Sequence, residues 1–66
     1  MQILLNGETK EAPAGLTLAS LLDHFDLPKQ RIAVEVNRQV IRRGEWDKTQ
    51  VAQADRIEVI HFVGGG

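Results

Sequence analysis

The sequence contains no cysteine. Disulfide staples, thiolate metal sites and cysteine nucleophiles are therefore excluded at once. No sign of charge dominates either: eight Lys and Arg stand against nine Asp and Glu, a formal net charge of −1. That balance argues against a basic protein that binds nucleic acid or a membrane surface, and 42% hydrophobic residues argue against disorder. Every apolar run falls far short of the roughly 20 residues that span a bilayer. The opening Met1-Gln2-Ile3-Leu4-Leu5 lacks the charged region and cleavage site of a secretory signal. The expectation is a cytoplasmic, soluble domain, monomeric when free.

The usual catalytic constellations are missing as well. There is no GxGxxG, GxxxxGK[ST] or GxSxG motif. His24 and His61, the only histidines, lie on different elements at no recognisable ligand spacing, so no metal site is expected. Asp23 with Asp26, and Glu45 with Asp47, read as solvated carboxylate pairs, and Arg42-Arg43 as ordinary basic surface. No residue is assigned a catalytic role.

What the sequence does contain is one small domain's worth of strong local signals. A chain of 66 residues buries only about 60% of the surface it exposes when unfolded. It must therefore build its core from efficient secondary structure. Met1, Ile3 and Leu5 alternate with Gln2, Leu4 and Asn6, which predicts an opening strand. Asn6-Gly7 tolerates the two positive φ angles of a type I′ turn, so Glu8 to Ala12 should return as a polar edge strand ended by Pro13. Thr17 is the expected N-cap of a helix whose Leu18, Leu21, Leu22 and Phe25 form one apolar stripe, with Leu27-Pro28 as its stop.

Ile32, Val34 and Val36 predict a third strand, Asn37-Arg38 gives a weaker turn signal, and Gln39 to Ile41 a short fourth strand. Arg42 to Gln53 reads as irregular, with one helical turn around Glu45-Trp46-Asp47 and Trp46 packed on the body of the domain. Ala54-Asp55 is a turn, and Arg56 to Phe62 the last strand. Two hairpins and one helix on one sheet face make a two-layer α+β domain over residues 1–63, followed by a flexible tail over 64–66.

That tail is the most informative feature. Half of the six glycines stand together as Gly64, Gly65 and Gly66, directly after a hydrophobic strand. A segment without side chains passes through a channel too narrow for other residues and brings the α-carboxylate of Gly66 to a partner's active site. A carboxylate is inert at neutral pH until activated, and adenylation by ATP is a common route. The acyl-adenylate can then be captured by a sulfur or amine nucleophile.

With these pieces in place the whole chain resembles the ThiS family, the bacterial sulfur carriers of thiamine biosynthesis, which are ubiquitin-like β-grasp proteins. The resemblance rests on Met1-Gln2-Ile3, Asn6-Gly7, the helix of Thr17 to Phe25, Val34-Glu35-Val36-Asn37 and the Trp46 segment. Most specific is the closing stretch from Asp55-Arg56-Ile57 to Gly64-Gly65-Gly66. It implies a mixed five-stranded sheet with one main helix on one face, and a protein that is not itself an enzyme and binds no cofactor. An adenylating enzyme of the ThiF type would use MgATP to convert the Gly66 carboxylate to an acyl-adenylate. Sulfur from a cysteine desulfurase would turn that into a thiocarboxylate, and a thiazole synthase of the ThiG type would take up the sulfur. Alternatives are a carrier for another acceptor (molybdopterin or a transfer RNA base), a protein modifier joined to lysine through Gly66, and a binding module without chemistry.

A partner surface is also expected. If Ile3 and Leu5 face the helix, Leu4 points the other way. If Ile57 and Val59 also face inward, Ile60 and Phe62 emerge beside Leu4 on an uncovered apolar patch. His61 and Val63 would flank the tail.

Overall fold

The computed structural model describes residues 1–62. Strand β1 (Gln2–Leu5) turns at Asn6-Gly7 into β2 (Glu8–Glu11), and helix α1 (Leu18–His24) follows. Strands β3 (Ile32–Val36) and β4 (Gln39–Ile41) form the second hairpin, a 3₁₀ turn spans Arg43–Glu45, and β5 (Arg56–His61) closes the sheet. The spatial order is β2-β1-β5-β3-β4. β5 lies parallel to β1 and antiparallel to β3, so the sheet is mixed, as expected for a β-grasp domain.

Local chemistry explains most of these boundaries. Asn6 and Gly7 both adopt positive φ, 50° and 81°, the pair a type I′ turn demands. β2 is an edge strand and carries Glu8, Lys10 and Glu11, with Lys10 and Glu8 paired at 3.4 Å. Thr17 caps α1: its Oγ1 accepts from the Ser20 amide at 3.2 Å. Phe25 is the C-cap rather than the last helical residue, and the chain leaves through Asp26 at φ 56°.

The segment from Arg42 to Gln53 is more ordered than its sequence suggests. Its helical turn comes earlier than expected, at Arg43–Glu45, with Trp46 as the cap. Two amides of the first helical turn need partners, and this segment supplies them: Leu18 donates to the Thr49 carbonyl at 2.8 Å and Ala19 to that of Trp46 at 3.0 Å. Val51 donates in turn to the Leu16 carbonyl at 3.0 Å, and its side chain enters the core. Trp46 is buried, as expected, and its Nε1 donates to the Ile41 carbonyl at 2.9 Å. Arg43 lies over its ring, 4.7 Å from the centroid.

The core sits between α1 and one face of the sheet. Ile3, Leu18, Leu21, Leu22, Val34 and Ile57 are fully buried, and among the described residues no polar or charged one is buried with them. Met1, Phe25, Val36, Ile41 and Val59 pack around this centre.

Candidate functional site

Among the described residues no helix covers the second face of the sheet. Alternation along β5 sends Ile57 and Val59 to the helix side, and Arg56, Glu58, Ile60 and then Phe62 to the open side. The exposure follows that phase: Ile57 is 0% exposed, Ile60 46% and Phe62 54%. The expected phase of the last strand is therefore the observed one. Phe62 lies one residue past β5, yet its amide still donates to the Arg31 carbonyl at 2.7 Å, so the ladder continues to the end of the described residues.

Leu4 is half-buried and outside the core cluster, so it does face the open side. Its expected place next to Ile60 and Phe62 is corrected by the register. Leu4 stands opposite Arg56, four positions before Ile60, which at about 3.3 Å per residue separates them by about 13 Å. Glu58 lies between. The alternation fixes the face of a side chain but not its row, and the row here is set by the parallel pairing of the first and last strands. Ile60 instead stands opposite Ala33. The apolar surface at this end of the sheet is Ala33, Ile60 and Phe62, with Val40 (68% exposed) on the edge strand one row away. Ala33 was legible in principle, because it alternates with the inward Ile32 and Val34.

His61 shares the helix-side phase of β5, opposite Ile32, but lies exposed at the strand's end. Val63, Gly64, Gly65 and Gly66, the remaining residues of the expected interface and tail, lie outside the described residues. The described residues end at Phe62, on the open face with Ile60.

The other candidate chemistry stays dispersed. His24 packs edge-on against Phe25, with ring centroids 4.8 Å apart. Asp23 pairs with Lys29 at 2.5 Å. Among the described residues no group of three or more potential ligands could hold a metal ion, and no helix is long and apolar enough to cross a membrane.

Comparison with known proteins gives this geometry its context. The ThiS family model matches residues 3–66, which includes the glycines. The sulfur carrier protein ThiS of Escherichia coli is 32% identical over 66 residues, the whole of both chains. A thiazole synthase from Magnetococcus marinus is 44% identical over all of this chain, which spans one fifth (20%) of that protein's length. The crystal structure of the thiamine biosynthesis protein ThiS from Geobacter metallireducens shares the fold with a TM-score of 0.88 and 29% identity, covering 100% of each chain. With a match of this extent and the same β-grasp architecture, the chain belongs to the ThiS family.

Proposed function

We propose that this chain is a sulfur carrier whose Gly66 carboxylate is activated and thiolated for thiazole formation in thiamine biosynthesis. The observation that carries this reading is the match to the family over residues 3–66, which runs through Gly64-Gly65-Gly66. The chemistry follows from the group at the end of the tail. A carboxylate oxygen of Gly66 attacks the α-phosphorus of MgATP on a partner adenylating enzyme of the ThiF type, and pyrophosphate leaves. A sulfur nucleophile supplied through a cysteine desulfurase then attacks the acyl carbon. AMP is the leaving group. Because the nucleophile is a persulfide, the first product is an acyl disulfide. A thiol reductant cleaves its S–S bond to leave the thiocarboxylate on Gly66 and a disulfide on the donor side. The domain supplies no acid, base or metal to these steps; it holds the tail and offers a surface by which partners recognise it.

A thiazole synthase of the ThiG type is the proposed acceptor. The support is that a thiazole synthase contains a stretch 44% identical to this chain. Two different enzymes would then read one docking surface, and Ile60 and Phe62 beside the tail are its proposed centre. A protein with apolar side chains held half-exposed on a rigid sheet needs no rearrangement to dock, which reduces the entropic cost of association.

The test is direct. The protein is incubated with a ThiF-type enzyme, MgATP and a sulfur donor, and its intact mass is measured. A gain equal to replacing one oxygen by sulfur is the expected result, and deletion of Gly65-Gly66 removes it. Gly65→Trp blocks the gain without unfolding the domain. Adducts to larger proteins would mark a modifier instead, and absence of adenylation would leave only a binding module.

A further inference from the structure

At the opposite end of β5 from Phe62, about 20 Å away at the rise of a strand, a solvent-open cavity of about 250 Å³ is lined by Asn37, Arg38, Ala54 and Arg56. Three of these four residues adopt positive φ although none is glycine: Asn37 at 51°, Arg38 at 71° and Ala54 at 70°. A left-handed arginine or alanine is disfavoured, and such conformations persist only where the surroundings enforce them. For Asn37 the enforcing contacts are visible. The Asn37 amide donates to the Arg56 carbonyl at 2.7 Å, and the Arg56 amide donates to Asn37 Oδ1 at 3.0 Å. Asn37 Nδ2 donates to Asp55 Oδ1 at 3.0 Å, while Asp55 Oδ2 accepts from the Ala52 amide at 2.8 Å. Asp55, the carboxylate within the loop, thus has both oxygens engaged there, while Glu58 lies two residues along the same face of β5 as Arg56 without forming an ion pair with it among the described residues.

The two guanidinium groups are not engaged. Among the described residues, Lys10 pairs with Glu8, Lys29 with Asp23, and Arg43 covers Trp46, whereas neither Arg38 nor Arg56 forms an ion pair or a side-chain hydrogen bond. Arg31, Arg42 and Lys48 do not line the cavity. Two arginines without ion pairs line one cavity, and a guanidinium can donate two parallel hydrogen bonds to a planar or tetrahedral oxyanion. With a net charge of −1 the chain as a whole does not attract anions, so the attraction has to be local.

We propose that Asn37, Arg38, Ala54 and Arg56 form an oxyanion site that takes a phosphate or carboxylate group, separate from the surface at the tail. The site is exposed, so affinity for a small free anion is on the order of millimolar, the range of a docking contact. Its test is independent of sulfur transfer. Inorganic phosphate is titrated into the ¹⁵N-labelled protein at constant ionic strength, and amide and arginine Nε–H resonances are followed. Saturable shifts confined to Asn37, Arg38, Ala54 and Arg56 are expected. Arg38→Gly and Arg56→Gln abolish them, whereas Arg42→Gln with Arg43→Gln leaves them unchanged. Arg38→Gly removes the strained side chain and raises the melting temperature, which separates loss of the site from loss of the fold. A parallel titration with acetate identifies the source: saturation by acetate as well points to a partner's carboxylate, and saturation by phosphate alone to a phosphate ester. Non-saturating shifts spread over all arginines, or shifts that survive both single variants, overturn the proposal.

Discussion

The two faces of the sheet are built from the same strands and treat apolar side chains in opposite ways. Under α1, Ile3, Val34 and Ile57 are completely buried, and among the described residues no charged group is buried with them. On the open side, Ile60 and Phe62 stay about half exposed, and two glutamates face each other across neighbouring strands. Ile57 and Ile60 stand three positions apart on one strand, yet one is a structural residue and the other is free for a partner. In so small a domain a single helix covers one side of the sheet only, and the uncovered side is where recognition can be placed without weakening the core.

The sharpest break of this comparison is a large-to-small change on the covered face. Leu22→Ala should cost about 2–5 kcal/mol, the range for a buried leucine whose cavity only partly collapses. A chain of 66 residues is expected to have only about 3–10 kcal/mol of stability, so this variant loses most of its margin in a urea titration. On the open face the pattern should invert. Phe62→Asp is expected to change folding stability by no more than about 0.5 kcal/mol. It should weaken binding to the adenylating enzyme by about 2 kcal/mol or more, roughly 30-fold, as loss of a central aromatic contact does. Calorimetry of both processes checks it: a large drop in melting temperature for Phe62→Asp would mean that the two faces are not independent.

A smaller effect is expected where the covered face is held in place rather than filled. Thr17→Ala removes the side-chain cap of α1 and should cost about 1 kcal/mol by denaturant titration. Because the first-turn amides of Leu18 and Ala19 are satisfied by Thr49 and Trp46 carbonyls instead, the helix should survive the change.

The same contrast separates what the sequence made legible from what it did not. Asn6-Gly7, Thr17 and the leucine stripe of α1 are local devices, readable because the physics acts within a few residues. The phase of β5 was readable too, since period-2 alternation fixes the face of each side chain. The row of Leu4 was not, because it depends on pairing residues 4 and 56, and no local pattern encodes that register. Asn37-Arg38 looked like a weak turn for the same reason. Its left-handed Asn37 is held by hydrogen bonds with Asp55 and Arg56, which lie far along the chain. Ala54-Asp55 was legible as a turn, but nothing in the sequence marked the alanine for its φ of 70°. For the site, the apolar residues of β5 were legible, Ala33 and Val40 became neighbours only through the sheet, and the tail lies outside the described residues.

The smallest expected effect is also the one that tests most finely whether the open face is shaped by stability. Glu35 and Glu58 stand directly opposite each other in the β3–β5 ladder, both half-buried, and neither has a cationic partner among the described residues. Like charges in such a pair are unfavourable, by about 0.2–1 kcal/mol, and partial exposure to solvent places this pair toward the low end. Glu35→Gln keeps the shape and removes the repulsion, so it should raise stability by a few tenths of a kcal/mol in low salt. Added salt screens the charges in the parent protein, so the gap between variant and parent should narrow as ionic strength rises. On the covered face an unfavourable pair of this kind would be expelled by the cost of burying charge; on the open face it persists because the cost is small. A variant that loses stability instead would show that Glu35 supports the sheet, and the division of labour between the two faces would then be less clean than their exposures suggest.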